Sequence, residues 1–263
     1  MTLDSIISKT LYRFTKIYRK KINFQLASKL NFTVTNGHFK GMKLIKSPFW
    51  SHSDLGCKIL GVYEHQIQNL LFSIIKTSSI KNFIDIGGAD GYYAIGSLVS
   101  NQVSHCYVFE KNINGRQSIK KSAEINQVLD RISILNEANE KTLQELLNSI
   151  NCKDSIILCD IEGLEYDLFN ENIFNKLSNT NLIIEIHSET PTLHKKRDAF
   201  LKIVKKYFEV RRIFEREKNF EEIRIINNLR DLDRNIILSE GRSVLGEWWH
   251  LKPIKGNQYT KDE

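Results

Sequence analysis

Short apolar runs alternate with amphipathic segments through the middle of the chain. Five runs of four or five apolar residues each precede a segment with the 3.6-residue spacing of a helix. Continuous apolar runs between helices are typical of parallel strands that are buried on both faces and joined by right-handed crossovers. The predicted strands are 82–86, 105–109, 132–135, 155–159 and 182–186, and the helices between and after them are 90–100, 113–126, 141–150, 164–176 and 192–207.

Other patterns lie before and after this repeating part. Residues 3–22 have helical spacing, with apolar residues on one side and lysines and an arginine on the other. Residues 31–62 have a loop-rich pattern, and a helix is predicted over 63–76. Two apolar runs late in the chain, "YFEVRRIF" and "EWWHLKP", predict a closing hairpin. We therefore divide the chain into a basic helix with a lead-in segment, residues 1–62, and an α/β domain, residues 63–263.

The positive charge is confined to the first part. The net charge is +7, but residues 1–46 hold ten Lys/Arg and one acid, so the remaining 217 residues carry 28 basic and 30 acidic groups. This placement argues against a nucleic-acid partner bound along the α/β domain. We favour a first helix docked on its own domain with a solvated basic side, and the alternative is a helix lying on an anionic membrane surface.

The sequence has neither a signal peptide nor a membrane-spanning run, which predicts a cytoplasmic protein, with peripheral attachment to the inner membrane surface as the alternative.

The first predicted strand ends in the glycine-rich turn "DIGGADG", residues 85–91. The dinucleotide fingerprint fails because Ala89 and Tyr92 stand where it needs glycine, and no phosphate-binding G-K-[ST] follows. The carboxylates of Asp85 and Asp90 would repel a pyrophosphate but suit a ligand with a positive end. S-adenosylmethionine carries an ammonium and a sulfonium and no phosphate, so it is the cofactor that this turn predicts.

Polar residues follow the next two predicted strands. Glu110 ends the second strand, where a carboxylate can accept hydrogen bonds from both hydroxyl groups of a ribose. Asn136, Glu137 and Ala138 follow the third strand, where they would meet an adenine ring. These positions continue the cofactor site along the carboxyl ends of the strands.

The strings "ILCDIEGLEYDLF" and "IIEIHSE" supply the candidate chemistry. If their strands are neighbours, Asp160, Glu162, Glu185 and His187 meet at adjacent strand ends beside the glycine turn. His187 is our candidate general base, and Asp160 would orient His187, contact the cofactor, or both. The alternative is that His187 only caps the next helix. A divalent metal such as magnesium, held by some of these four residues, ranks second, and its ligands are left open.

Four segments together resemble the FkbM-type family of class I S-adenosylmethionine-dependent methyltransferases: "FIDIGGADGYYAIGSLVS", "CYVFEKNINGRQSIKKSAEINQV", "SIILCDIEGLEYDLF" and "LIIEIH". The likeness covers roughly residues 61–187. The D-x-E-G-x-E string at 160–165 is its most specific part, and "LGVYE" at 60–64 resembles the family's lead-in helix. Gly88 departs from the family, which usually has alanine there.

The resemblance implies a Rossmann-like, seven-stranded and mostly parallel sheet with helices on both faces, here with an N-terminal helical extension. Residues 63–263 would be the methyltransferase domain, with His187 and Asp160 as catalytic residues. It implies methyl transfer to oxygen, often on sugars or secondary metabolites. The expected cofactor-binding residues are Glu64, Asp85, Gly87, Gly88, Asp90, Gly91, Tyr92, Glu110, Asn136, Glu137, Ala138 and Asp160.

The functional prediction is an O-methyltransferase acting on a hydroxyl of a sugar, glycan or glycoconjugate precursor, and the sugar comes from the resemblance alone. The alternatives are an RNA or other nucleic-acid methyltransferase and a binding protein that keeps the fold without catalysis. The first is disfavoured because this chain has "CDIEG" after its fourth predicted strand. Enzymes that methylate the amino groups of bases usually have a string resembling (Asp/Asn)-Pro-Pro-(Tyr/Phe) at that place. We interpret four arginines as surface charges rather than as a site for an anionic acceptor: Arg224, Arg230, Arg234 and Arg242.

Overall fold

The computed structural model describes residues 3–214, 223–242 and 244–254, with side chains from residue 13 onward. The strands are β1 (Asn82–Ile86), β2 (His105–Phe109), β3 (Ile132–Leu135), β4 (Ser155–Cys159), β5 (Asn181–Ile186), β6 (Phe208–Phe214) and β7 (Glu247–Pro253). In the described residues these seven strands form one sheet in the order β3-β2-β1-β4-β5-β7-β6. Strands β1 to β5 run parallel, and β7 pairs antiparallel with both β5 and β6. The predicted strands and the closing hairpin are therefore confirmed.

Most predicted helices are also present, with ends shifted by a few residues. They are α1 (Leu3–Lys29), α2 (Leu55–Ile59), α3 (His65–Ser78), α4 (Tyr92–Val99), α5 (Ile113–Ile125), α6 (Glu140–Ser149), α7 (Glu165–Leu168), α8 (Glu171–Lys176), α9 (Pro191–Val204) and α10 (Asp231–Leu238). The single helix predicted over 164–176 is wrong, since α7 and α8 divide that segment. The cause is local: the Asn170 side chain accepts a hydrogen bond from the Ile173 N–H and so caps a new helix.

Alternate strand residues enter two separate cores. Phe83 and Val108 pack among apolar residues of α3, α4 and α5, whereas Ile84 and Phe109 pack among residues of α6, α8 and α9. Because both faces of the sheet are covered by helices, its central strands are apolar without alternation. The Rossmann-like, mostly parallel sheet with helices on both faces is confirmed.

Helix α1 is buried against the rest of the protein along only part of its surface. Leu26 and Ala27 of α1 are buried in a third core that includes residues of α2 and Ile237 of α10. Phe14 and Ile17 are each 66% exposed, so docking of the helix's predicted apolar side is wrong for these two residues. They lie on a different side of the helix from the buried pair.

The division of the chain at residues 62 and 63 stays a prediction. None of the described helices combines the length and apolarity that crossing a bilayer requires.

The glycine turn after β1 is wedged between the ends of β2 and β4. Gly87 has φ +94°, and a Cβ there would lie 1.8 Å from the carbonyl oxygen of Asp160. The N–H groups of Gly87 and Gly88 both donate to the Phe109 carbonyl. The turn therefore brings the ends of three strands together only if residue 87 has no side chain.

Gly87→Ala should destabilise the fold more than Gly41→Ala. The two glycines have nearly equal φ, +94° and +92°, but a Cβ at Gly41 meets nothing within 4 Å. The control variant thus carries the left-handed strain alone, about 1 kcal/mol. We expect Gly87→Ala to lose at least about 2 kcal/mol more in the free energy of urea unfolding, because the backbone of the turn or of Asp160 must move to make room for the Cβ. Equal losses in the two variants would show that the close approach to Asp160 does not constrain the fold.

Candidate functional site

Two cavities meet at the carboxyl ends of the parallel strands. The first cavity, about 280 Å³, is lined by the glycine turn, the ends of β1 and β2, and residues that precede α3. The second cavity, about 820 Å³, is lined by residues that follow β4 and β5, by α1 and by residues 240–242 and 244–247. Trp50, Tyr63, Asp160 and Glu162 line both cavities. A ligand in one cavity can therefore reach a ligand in the other beside Asp160.

Most of the residues expected to bind a cofactor line the first cavity. They are Glu64, Asp85, Gly87, Gly88, Asp90, Tyr92, Glu110, Glu137, Ala138 and Asp160. Gly91 and Asn136 are outside the lining: Gly91 precedes the first turn of α4, and Asn136 is exposed. Trp50, Lys58 and Tyr63 line it as well. Pattern analysis missed these three because they precede the strand and helix repeat.

Glu110 is fixed at the end of β2 by backbone groups. Its Oε2 accepts from the Ala89 N–H at 2.9 Å, and its Oε1 accepts from the Asn112 N–H at 2.7 Å. A carboxylate oxygen has more than one acceptor direction, so each oxygen can still accept a hydrogen bond from a ligand hydroxyl. The predicted contact with a ribose is compatible with this arrangement.

The two acids of the glycine turn have different surroundings. Asp90 accepts hydrogen bonds from the Phe49 N–H at 2.6 Å, the Trp50 N–H at 3.0 Å and the Ser118 hydroxyl at 2.6 Å. Asp90 therefore holds the lead-in segment over the turn. Asp85 is buried, and burial, together with the charge of Asp160, raises its pKa to about 7. Of the two acids, Asp85 is the one whose charge is costly without a cation.

An arginine lies between carboxylates where the cavities meet. Arg242 donates through Nη1 to Glu185 at 2.5 Å, through Nε to Glu240 at 2.9 Å, and through Nη2 to Glu64. The interpretation of Arg242 as a surface charge is wrong, because three-quarters of its side chain is buried. Arg224 and Arg230 are exposed, as that interpretation expects, whereas Arg234 is partly buried and pairs with Asp231. Glu64 is 178 positions from Arg242 in sequence, so no local pattern indicates this cluster.

The carboxylates in this cluster hold protons more tightly than usual. Burial raises the pKa of Glu64 to about 7 although Arg242 opposes the rise. Burial and the charge of Asp160 raise the pKa of Glu185 to about 10, although Arg242 again opposes the rise. One oxygen of Asp160 is buried without a hydrogen-bond donor among the described residues. The site therefore has unused capacity to accept hydrogen bonds and to stabilise positive charge.

His187 is oriented by Glu165. Glu165 is fully buried, and its Oε1 accepts from the His187 backbone N–H at 3.1 Å and lies 3.3 Å from Nδ1 of the ring. Its Oε2 accepts from the Gly163 N–H at 2.9 Å. Asp160 Oδ1 is 3.7 Å from Nε2, too far for a hydrogen bond, so Glu165 holds the ring more directly than Asp160, and the predicted role of Asp160 stays a prediction. Glu165 ends the D-x-E-G-x-E string, which was the available signal for its role.

Carboxylates also set the charge of His187. Burial alone would lower its pKa, but hydrogen bonding to Glu165 and the charges of Glu165, Asp160 and Glu162 outweigh burial and raise that pKa to about 9. His187 is therefore protonated at neutral pH. It can accept a proton at Nε2, which lies 3.5 Å from Glu162, only after losing one.

A metal fits these residues poorly. One ligand atom from each of Asp160, Glu185 and His187 lies within 4.8 Å of the others, which is close enough to share an ion. However, Glu185 already accepts a hydrogen bond from Arg242, which would compete with an ion for that carboxyl. The metal therefore stays the second-ranked interpretation.

No family model and no curated protein matches the chain. Solved structures with a similar fold include the O-methyltransferase from Bacillus cereus in complex with SAH, which is 13% identical and covers 70% of this chain and 79% of that chain at a TM-score of 0.47. They also include precorrin-6y C5,15-methyltransferase from Geobacter metallireducens, 10% identical, covering 72% of this chain and 88% of that chain at a TM-score of 0.44. At such identities and TM-scores, the chemistry of this chain has to be argued from its own residues.

Glu165→Gln should lower the pKa of His187 by about one unit or more, because it removes the buried negative charge that faces Nδ1. Glu189→Gln is the matched control, since Glu189 is exposed and only two residues from His187. The measurement is an NMR titration of the His187 ring in both variants. An unchanged pKa in Glu165→Gln, or equal shifts in both variants, would contradict the assignment of Glu165 as the residue that sets the charge of His187.

Proposed function

We propose that the protein is an S-adenosylmethionine-dependent methyltransferase of the FkbM type, which methylates a hydroxyl group of a sugar, glycan or glycoconjugate precursor. One observation carries the proposal: an acidic cavity at the glycine turn meets a second cavity beside Asp160, and His187 lies in the lining of the second. The proposed location is cytoplasmic.

The first cavity has the charges that a cationic donor requires. The carboxyls of Asp85 and Glu64 line it with pKa values near 7, so a bound cation would favour their ionised forms. Glu110 would accept the ribose hydroxyls, and Glu137 and Ala138, which line the same cavity, would meet the adenine. When bound, S-adenosylmethionine supplies a methyl group already activated by its sulfonium.

The second cavity supports a neutral polyol as acceptor. Asp160, Glu162, Glu185 and Glu240 line it, and carboxylate oxygens accept hydrogen bonds from hydroxyl groups. The exposed ring of Trp50 at its edge offers a flat apolar surface to the face of a sugar. Seven Asp and Glu residues line this cavity against three Lys and Arg residues, so the phosphates of a nucleic-acid acceptor would meet mostly carboxylates.

The chain's residues would act mainly by alignment. Asp160 and Glu162, which line both cavities, would hold the acceptor hydroxyl toward the donor, and such proximity can be worth about 7–11 kcal/mol. Neutral His187 would take the hydroxyl proton at Nε2. Glu165, whose Oε1 lies 3.3 Å from Nδ1, would then stabilise the imidazolium that forms.

S-adenosylhomocysteine should bind, and NAD should not. Asp85→Asn should weaken binding of S-adenosylmethionine by about tenfold or more, because it removes a buried charge near the cation. Asp154→Asn is the control, since Asp154 precedes β4 at the opposite edge of the sheet and is partly exposed. The measurement is calorimetric titration near pH 7 in two buffers of different ionisation enthalpy. S-adenosylmethionine should release more protons than S-adenosylhomocysteine, which lacks the sulfonium. Failure of the folded protein to bind either compound would refute the proposed cofactor.

His187→Ala should reduce methyl transfer by about 10²- to 10⁴-fold while leaving the affinity for S-adenosylhomocysteine nearly unchanged.

The wild-type rate at subsaturating acceptor should rise with pH toward about 9, because His187 must lose its proton first. The assay is transfer of a labelled methyl group to a panel of neutral sugars and glycans, with nucleotide sugars and RNA as phosphate-bearing rival acceptors. Full activity of the variant would eliminate His187 as the base. Activity lost in chelator and restored by magnesium would favour the metal interpretation.

A further inference from the structure

Helix α1 presents different residues to the protein and to solvent. Asn23, Leu26 and Ala27 are buried, whereas Phe14 and Ile17 are 66% exposed and Phe24 is 42% exposed. Phe14 and Ile17 lie about 60° apart around the helix axis. In the sequence, Leu3, Ile6, Ile7 and Leu11 recur on the same side as Phe14 and Ile17. We call the side that carries Phe14 and Ile17 the outer side of α1.

Exposed basic residues flank this outer side. Arg13, Lys20 and Lys21 are exposed, and among the described residues no ion pair involves Lys20 or Lys21. Residues 1–46 contain ten basic residues and one acid. An exposed apolar side bordered by unpaired bases matches the surface of an anionic bilayer, where bases meet headgroups and apolar side chains enter the boundary with the acyl chains.

We propose that the outer side of α1 binds the surface of an anionic phospholipid bilayer. A second copy of this chain fits less well, because pairing the outer sides would bring two strongly basic segments together. A nucleic acid would account for the bases but not for the exposure of Phe14 and Ile17. The inference rests on α1 alone and does not depend on the proposed chemistry.

Binding along α1 would also position the second cavity. Thr15, Lys16 and Arg19 of the same helix line that cavity. Val244 and Leu245, 51% and 66% exposed, line it as well. A helix that lies on the bilayer therefore forms one wall of this cavity, which brings the cavity close to molecules held at the membrane surface.

The test is co-sedimentation of the full chain with vesicles of phosphatidylglycerol and phosphatidylcholine, and with vesicles of phosphatidylcholine alone. We expect binding to the first and not the second, weakened by salt. Phe14→Ser/Ile17→Ser should weaken partitioning about tenfold or more, because it removes two apolar side chains and no charge. Ile125→Ser/Leu129→Ser is the matched control, since both residues are 41% exposed and lie away from α1, in and just after α5. An unchanged midpoint of thermal unfolding checks that each variant is folded.

Three results would overturn the proposal. Wild-type protein could stay in the supernatant with both kinds of vesicle. Both double variants could sediment as fully as wild type, which would show that Phe14 and Ile17 are not the anchor. Wild type could be a dimer that the Phe14→Ser/Ile17→Ser variant converts to a monomer without any vesicle binding, which would assign the outer side of α1 to a second copy of the chain.

Discussion

The crowding of carboxylates at one edge of the sheet is the constraint on which the site depends. Glu64, Asp85, Asp160 and Glu185 come from the segment before α3 and the ends of β1, β4 and β5, and three of them are buried. Carboxylates this close cannot all be ionised without cations. Arg242 supplies one cation, and protons retained by the carboxyls and by His187 reduce the remaining repulsion.

The same constraint links stability to ligand binding. Arg242 joins Glu64 and Glu185 across the junction of the two cavities, so it stabilises the packing of elements that are distant in sequence. Removing one partner from such a cluster would leave buried charge uncompensated, which typically costs about 3–5 kcal/mol. A cationic ligand would act in the same direction as Arg242. The acids that would recognise the proposed donor therefore also destabilise the folded state when no cationic ligand is bound.

The N-terminal segment contributes to the site rather than only extending it. Hydrogen bonds to Asp90 hold residues 49 and 50 at the glycine turn, which places Trp50 in the lining of both cavities. Helix α1 closes one side of the second cavity while its outer side faces solvent. Acceptor access in the proposed reaction would consequently depend on what α1 binds.

The sequence by itself determined the strands and the edge at which chemistry is concentrated. Apolar runs such as 82–86 and 155–159 predict buried strands, because an uninterrupted apolar run is a property of neighbouring residues and can be seen in the sequence alone. The polar residues that follow these runs mark the carboxyl edge of the sheet. Only the tertiary structure decided that Arg242 enters the acidic cluster, that Glu165 holds the His187 ring more directly than Asp160 does, and that Phe14 and Ile17 face away from the protein. Each of these depends on contacts between residues far apart in the chain or on the rotation of a helix about its axis, and neither is encoded in local periodicity.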